Sequence, residues 1–94
     1  MVSKVHFGSF YGTATANVNM VDVFKEAEKV KHPQFDFNTV RKIAIEAPAK
    51  TKVTVNDVDI TMPSTGMLEF GLDYVQIINL VFETDADVNI IYMY

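Results

Sequence analysis

Hydrophobic residues recur at intervals of three and four along residues 20–31, and this spacing predicts one short amphipathic α-helix. Asn19 can cap its first turn, and the residue before Pro33 avoids the α region, which ends the helix. A helix of this length is not stable alone, so its apolar side must pack on the chain's own sheet or on a neighbouring subunit. That apolar side consists of Met20, Val23, Phe24, Ala27 and Val30.

From residue 40 onward, apolar and polar residues alternate with the period of a half-buried strand. Between two such segments, Asn56 and Asp57 predict a two-residue hairpin turn. Residues 74–82 are almost continuously apolar and predict a central strand that is covered on both faces. Five or six short strands separated by turn residues predict a small antiparallel sandwich over residues 40–94.

Residues 1–19 mix aromatic side chains with glycine, serine, threonine and asparagine. This pattern is typical either of an N-terminal arm that docks on another surface or of an edge strand of the chain's own domain. A chain of 94 residues is long enough for one domain. We therefore expect a single mainly β domain over residues 1–94, with an arm at 1–19, a helix at 20–31 and a sandwich at 40–94.

The composition argues against several classes of function. The net charge is -4 and Arg41 is the only arginine, so nucleic acid is not an expected partner. No cysteine is present, which excludes disulfides, thiol catalysis and cysteine-based metal sites. The chain has neither an apolar signal core at its N-terminus nor a run of eighteen apolar residues, so we expect folding in a cytoplasm and no membrane partner.

The polar residues form no catalytic or metal-binding motif. His6 and His32 have no carboxylate at ligand spacing, and none of the three serines lies in a nucleophile motif. Two acidic pairs near predicted turns are the oxygen-rich candidates for calcium, although charge is also common at strand edges. These pairs are Asp57 with Asp59, and Asp85 with Asp87. We expect no catalytic residue, no metal, no cofactor and no enzymatic activity.

Seven phenylalanines and four tyrosines are more aromatic residues than a core this small usually hides. Aromatic side chains supply anchors in protein contacts, so some of them are expected to bind a partner. The best candidates lie before residue 40, outside the predicted sandwich. They are Phe7, Phe10, Tyr11, Phe24, Phe35 and Phe37.

Residues 41–94 contain a succession of motifs: Val55-Asn56-Asp57, then Phe70-Gly71-Leu72, then the apolar residues 75–82, and finally Val88 to Tyr94. The chain ends in Tyr92-Met93-Tyr94, an aromatic pair on one face of the last strand. In these features the segment resembles the small Ig-like β-sandwich modules of tailed-bacteriophage virion proteins. The resemblance covers about the last 55 residues.

The resemblance implies a mainly β, small antiparallel Ig-like β-sandwich and a non-enzymatic virion structural protein. Such proteins include capsid auxiliary or decoration proteins, head-fibre proteins and neck or tail accessories. The implied partners are the major capsid protein or neighbouring virion subunits, with self-association also open. The implied location is the virion, assembled in the host cytoplasm.

Two other functions stay open. The first is a carbohydrate- or receptor-binding β-sandwich module with Tyr74, Tyr92 or Tyr94 as the aromatic platform. The second is a small regulator that inhibits a host enzyme by acidic mimicry, which the modest net charge of -4 supports less well.

Overall fold

The computed structural model describes residues 7–31, 39–70 and 76–94. These residues form seven strands and one helix. In chain order, the elements are β1 (Phe7–Ala14), α1 (Met20–Lys31), β2 (Lys42–Glu46), β3 (Lys52–Val55), β4 (Val58–Thr61), β5 (Met67–Phe70), β6 (Leu80–Phe82) and β7 (Ala86–Met93).

The strands form two antiparallel sheets, which confirms the mainly β sandwich expected from the sequence. The four-stranded sheet has the order β1-β7-β2-β5, and the three-stranded sheet has the order β4-β3-β6. Alternate residues of each strand point inward, and their apolar side chains form one core. Side chains of this core that come from both sheets include Ile43, Ile45, Val53, Leu80, Phe82, Ile90 and Tyr92.

Strand β1 lies within the segment predicted as either an arm or an edge strand. It pairs with β7 along its whole length, from Phe7 opposite Met93 to Ala14 opposite Ala86. Residues 7–14 are therefore an edge strand of the four-stranded sheet and not a free arm, because their backbone groups bond to the last strand of the same chain. Residues 1–6 lie outside the described residues.

The hairpin between β3 and β4 confirms the predicted turn. Asn56 has a φ of 48° and Asp57 a φ of 67°. Two successive positive φ angles form the turn whose twist suits a two-residue hairpin, and asparagine and aspartate tolerate them better than other residues with side chains. Strands β3 and β4 consequently pair in register, with Val55 opposite Val58.

The prediction of a central strand over residues 74–82 is wrong for the described part of that segment. Only Leu80–Phe82 forms a strand, and this strand is at the edge of its sheet. The side chain of Asn56 instead forms hydrogen bonds to the backbone of residues 76–79, which precede β6. Its Oδ1 accepts hydrogen bonds from the N–H groups of Ile78 and Asn79, at 2.9 and 3.3 Å, and its Nδ2 donates to the Gln76 carbonyl at 2.8 Å. Backbone groups that bond to a side chain do not extend a sheet ladder.

Asn19 caps the helix, as predicted, and also ties it to β6. Its Oδ1 accepts hydrogen bonds from the N–H groups of Val21 at 3.1 Å and Leu80 at 3.0 Å. Its Nδ2 donates to the Ile78 carbonyl at 3.0 Å. The helix begins at Met20 for this reason, and its first turn is fixed beside the three-stranded sheet.

The helix packs on the chain's own sheets, in contact with β1 and β6. Its buried side chains are Met20, Val21, Phe24 and Glu28. Val30, which the predicted stripe placed inside, is 83% exposed, whereas the carboxylate residue Glu28 is buried. The predicted apolar side is therefore wrong at its C-terminal end, because Glu28 finds two hydroxyl donors on the last strand and so replaces an apolar residue.

Candidate functional site

The face of the four-stranded sheet that points away from the core is the candidate site, and we call it the outer face. Alternation along the strands directs every second side chain to it. Register then brings residues from four separate strands into rows across the sheet. The outer face consists of Phe7, Ser9, Tyr11, Thr13, Lys42, Ala44, Glu46, Met67, Glu69, Asp87, Asn89, Ile91 and Met93.

Apolar side chains occupy the middle of the outer face. Ile91 lies between Ser9 of β1 and Ala44 of β2, and about half of its surface is exposed. The small neighbours on both sides leave a shallow depression around it, and Phe7 and Met93 line one end of this depression. Phe7 is 70% exposed. A contiguous exposed apolar surface on a regular sheet is typical of a binding face.

Tyr11 lies at the other end of the outer face and is 87% exposed. Its cross-strand neighbour is Asn89, whose neighbour on β2 is Glu46. A second depression here is lined by Tyr11, Glu46, Pro48, Asp87 and Asn89. This end of the face therefore offers an aromatic ring beside amide and carboxylate groups, which suits hydrogen bonding to a polar surface.

The charged residues lie around the apolar middle of the outer face. Lys42 is at the end of β2 that is next to Met93, and Glu46 is at the other end of β2, next to Asn89. Glu69 lies beside Ala44 on the edge strand β5. Asp87 accepts a hydrogen bond of 2.7 Å from the Thr13 hydroxyl. The outer face thus has an apolar middle with a basic group at one end, Glu46 and Asp87 at the other end, and Glu69 at the β5 edge.

The structure brings together two of the six predicted partner-binding residues. Phe7 and Tyr11 both lie on the outer face. Phe10 lies between them in sequence but points inward, where it packs against the core. Phe24 is 1% exposed and stacks on Tyr92 at a ring distance of 4.1 Å, so the prediction that it binds a partner is wrong. Phe35 and Phe37 lie outside the described residues.

Sequence reasoning missed Met67, Ile91 and Met93 as members of the face. The signal was present in β7, where Ile91 and Met93 alternate with the buried Ile90 and Tyr92. One of these two apolar sets is buried, whereas the other faces outward and is exposed or half-exposed. The polar Asp87 and Asn89 on the same outward face indicate this orientation.

Beneath the sheet, a buried carboxylate connects α1 to β7. The Tyr92 and Tyr94 hydroxyls donate hydrogen bonds to Glu28, at 3.2 and 2.7 Å. Burial, followed by the nearby Glu28 charge, raises the pKa of Tyr92 above its ordinary value. Burial and the hydrogen bond to Glu28 also raise the pKa of Tyr94 to about 12. Lys31 lies 3.8 Å from the same carboxylate.

This cluster has a structural role and also bears on the sugar-binding alternative. Tyr92 is buried, and Tyr94 is half-buried with its hydroxyl bonded to Glu28, so neither ring offers a free platform. Tyr74 lies outside the described residues. Tyr11 is the exposed tyrosine in the part of the chain that the structure describes.

Neither a metal centre nor a membrane span is found in residues 7–31, 39–70 and 76–94. No three histidine, aspartate or glutamate side chains in these ranges are grouped to hold an ion, so the two acidic pairs do not converge. Asp59 accepts from Thr54 at 3.0 Å and Asp85 accepts from the Ala16 N–H at 2.7 Å. The helix in these ranges does not have the length and apolar character needed to cross a membrane.

In comparisons with known proteins, no family model, no curated protein and no solved structure matches this chain.

Proposed function

We propose that this chain is a non-enzymatic structural protein that docks its outer face against another folded protein subunit. The observation that carries the proposal is the exposure of Phe7, Ile91 and Met67 on one face of the same sheet. Water contact with this apolar surface is unfavourable, and burial against a complementary protein surface removes it. The hydrogen-bonded sheet is already ordered, so docking loses little conformational entropy.

The resemblance of residues 41–94 to virion modules supports a more specific proposal: the chain is a capsid auxiliary or decoration protein of a tailed bacteriophage. In that setting, the outer face is the contact with the major capsid protein or with a neighbouring virion subunit. Many copies on one shell act together, so each contact can be small and still hold the protein in place.

A binding measurement with phage particles that lack this chain tests the proposal. Wild-type protein is added to such particles and the number of bound copies is counted. We expect Ile91→Lys to bind in far fewer copies, because a buried lysine without a partner opposes docking. Thr61→Lys introduces the same side chain at an exposed position of β4 and is expected to bind as the wild type does.

Two results would reject the proposal. Wild-type protein that does not bind to the particles rejects the virion role. Equal binding by wild type and Ile91→Lys rejects the outer face as the contact surface. Circular dichroism of each variant shows whether it is folded before binding is compared.

A second candidate is a carbohydrate-binding module, and the position of Tyr11 favours it. This exposed ring lies beside Asn89 and Glu46, which can bond to sugar hydroxyls. The platform is then on β1 and not on the tyrosines near the C-terminus. Glycan-array binding that disappears in Tyr11→Ala supports this function, and the absence of binding to any glycan rejects it.

A further inference from the structure

The strands at the edges of the two sheets differ in how they are protected. Strands β4 and β5 have four residues each and contain the acidic residues Asp59 and Glu69. Strand β6 has three residues, and its backbone bonds to Asn17 and Asn19. Short, charged or covered edges of this kind resist pairing with another chain. Strand β1 differs, because it has eight residues with neither a charge nor a proline, and its register with β7 is unbroken by a bulge.

One side of β1 is unpaired. Alternate residues of the strand direct their backbone N–H and C=O groups to β7, and the others direct them away from it. Within the described residues, no strand pairs with this second side, and no other backbone bond of residues 7–14 is found. Phe10 points inward but is only half-buried, since no described strand lies beyond it. This edge therefore offers both free backbone groups and an incompletely covered aromatic ring.

Helix α1 runs antiparallel to β1 on the core side of the sheet. The Phe24 ring lies 6.4 Å from the Phe10 ring, and further along the helix Lys31 lines a surface depression together with Gly8. Ala27 lies between Phe24 and Lys31 in the helix. It is therefore placed between the levels of Phe10 and Gly8 along the strand.

The helix has an exposed apolar stripe on the side of this edge. Val23, Ala27 and Lys31 follow one line along the helix, one turn apart, and Val30 lies next to that line. Val30 is 83% exposed, Ala27 is exposed and Val23 is half-buried. The helix residues that contact β7 lie on the other side of the line. The stripe of Val23, Ala27 and Val30 therefore lies next to the unpaired edge of β1.

We propose that a second copy of this chain pairs with the β1 edge, strand against strand and antiparallel, about a two-fold axis perpendicular to the sheet at Phe10. The two four-stranded sheets then form one continuous sheet, and the apolar stripes of the two helices meet beneath it. This contact surface is separate from the outer face, so the inference goes beyond the proposed function.

The register centred on Phe10 suits the side chains of β1. It pairs most of the strand with its copy and gives roughly six to eight backbone hydrogen bonds. Each Phe10 ring gains the other as its neighbour, and on the opposite face Tyr11 lies beside the small Ser9 of the second copy. Gly12 of the second copy comes near Lys31 and leaves room for it, because glycine has no side chain. No like charges on the two strands oppose this pairing.

The same axis allows the helices to pack. Helix α1 contacts both β1 and β7, so its axis lies about half a strand spacing inside the edge. Strands about 4.8 Å apart then place the two helix axes roughly 10 Å apart, which is within the range for packed helices. An antiparallel crossing brings Val23 of one helix near Val30 of the other. The small Ala27 side chains lie between these valines, where the helices come closest.

The size of the contact predicts a weak dimer. A paired edge about 24 Å long and two layers deep buries on the order of 800–1,000 Å² in total. This area is at the lower limit for a specific interface, and we expect a dissociation constant of roughly 10 µM to 1 mM.

Sedimentation equilibrium of the full chain from about 10 µM to about 1 mM tests whether the second copy is the partner. The apparent mass of the wild type should rise from monomer towards dimer. Ala27→Glu brings two carboxylates together at the axis and should keep the chain monomeric. Ala49→Glu makes the same change at an exposed position of the turn between β2 and β3 and should dimerise as the wild type does. A monomeric wild type over the whole range, or a dimer unaffected by Ala27→Glu, overturns the inference.

Amide hydrogen exchange, followed by NMR, tests whether the dimer forms through the β1 edge. In the dilute monomer, the β1 amides that point away from β7 exchange freely. At about 1 mM they should exchange several-fold more slowly, because their N–H groups are bonded in the dimer. The amides of the edge strand β5 are the internal control and should exchange equally fast at both concentrations. A dimer with unchanged β1 exchange rejects pairing along this edge.

Cysteine variants test the register, because the chain has no cysteine of its own. A mixture of Ser9→Cys and Tyr11→Cys places two thiols directly opposite each other, with Cβ atoms about 4.5–5.5 Å apart. In either variant alone, the two thiols are diagonal neighbours at about 7–8 Å. Under mild oxidation the mixed disulfide should therefore form several-fold faster than either homodimeric disulfide. Equal rates for all three disulfides would reject the register centred on Phe10.

The inference and the proposed function can fail separately, since they concern different surfaces. A monomeric wild type that still binds phage particles through Ile91 rejects the second copy and leaves the docking function standing. Protection of the β1 amides only when particles are present assigns the edge to a different protein and also rejects the second copy. A dimer with protected β1 amides that binds to no particle supports the second copy and rejects the virion role.

Discussion

The Tyr92 hydroxyl donates a hydrogen bond of 3.2 Å to Glu28 Oε2, which joins the last strand to the helix across 64 positions of sequence. The Tyr94 hydroxyl donates to Glu28 Oε1 at 2.7 Å. Glu28 is only 2% exposed, so its carboxylate depends on these donors in place of water. The helix therefore packs beneath the four-stranded sheet through a polar contact within an otherwise apolar core.

The carboxylate of Glu28 is the first target for a stability test. Glu28→Ala leaves two hydroxyls without their acceptor, and we expect the free energy of unfolding to fall by about 2–3 kcal/mol. Glu28→Gln keeps one acceptor oxygen, so its loss should be smaller. Glu26→Gln, at an exposed helix position, is the matched control and should change stability by less than about 0.5 kcal/mol. Urea unfolding provides the measurement, and equal effects of Glu28→Ala and Glu26→Gln would contradict the structural role.

The same cluster predicts a loss of stability at alkaline pH. The pKa values of Tyr92 and Tyr94 are raised in the folded protein, that of Tyr94 to about 12. An unfolded tyrosine titrates near pH 10, so above about pH 10 the unfolded chain has released protons that the folded chain retains. The stabilisation is therefore complete below about pH 10 and is lost as pH rises through the folded pKa values.

Urea unfolding between about pH 8 and pH 11.5 measures this decline. Tyr94→Phe removes one of the two shifted groups, so its unfolding free energy should fall less steeply with pH than that of the wild type. The exposed Tyr11 serves as a control, because Tyr11→Phe should leave the slope unchanged. If the free energy of unfolding fell equally with pH in wild type and Tyr94→Phe, the ionisation of these tyrosines would not be linked to folding.

Gly8 gives the Tyr92 ring its space. Gly8 and Tyr92 are cross-strand partners, and a Cβ added at Gly8 would overlap the ring. We expect Gly8→Ala to lower the free energy of unfolding by about 1–3 kcal/mol or more, because the ring would have to leave its stack on Phe24. Ser9→Ala changes the adjacent, outward-facing position and should be nearly neutral. Thermal or urea unfolding compares the two variants, and equal stability would mean that the ring moves without loss.

Asn56 acts through its side chain as well as through its backbone. Asn56→Gly preserves the positive φ but removes the hydrogen bonds to residues 76–79, so we expect a loss of about 1–2 kcal/mol. Asp57→Gly is the matched control in the same turn and should be neutral or slightly stabilising, since glycine suits a φ of 67°. Denaturant unfolding measures both variants. If the two changes had equal effects, the hydrogen bonds of Asn56 would not contribute to stability.

Local signals predicted the elements that depend on local chemistry. The helix has the predicted bounds because a capping asparagine precedes it, and the hairpin occurs at Asn56 and Asp57 because few other residues adopt their backbone angles. Strands β2, β3 and β4 follow the alternation of apolar and polar residues. In each of these cases, a few adjacent residues determine the structure.

The features that local patterns did not predict depend on contacts between residues that are distant in sequence. Asn56 and Asn19 hold the backbone before β6, and no pattern within residues 74–82 reveals those two side chains. Glu28 is buried because the hydroxyls of Tyr92 and Tyr94 donate hydrogen bonds to it. The hydrophobic pattern of the helix alone predicts that this glutamate faces solvent. The outer face was only partly predictable from the sequence. Phe7 and Tyr11 lie together on β1, whereas Met67 and Ile91 lie on other strands, which become part of the same face only when the strands pair.

The central claim is that the outer face contacts another protein, and hydroxyl-radical footprinting of phage particles tests it most directly. Oxidation of Tyr11, Met67 and Ile91 is compared between dilute isolated protein and the same protein in assembled particles, with the buried Met20 and Met62 as internal controls. We predict that the three outer-face side chains react readily in the dilute protein and are strongly protected in the particle, while the two controls stay unreactive in both. Equal oxidation of Tyr11, Met67 and Ile91 in the two states would contradict the claim.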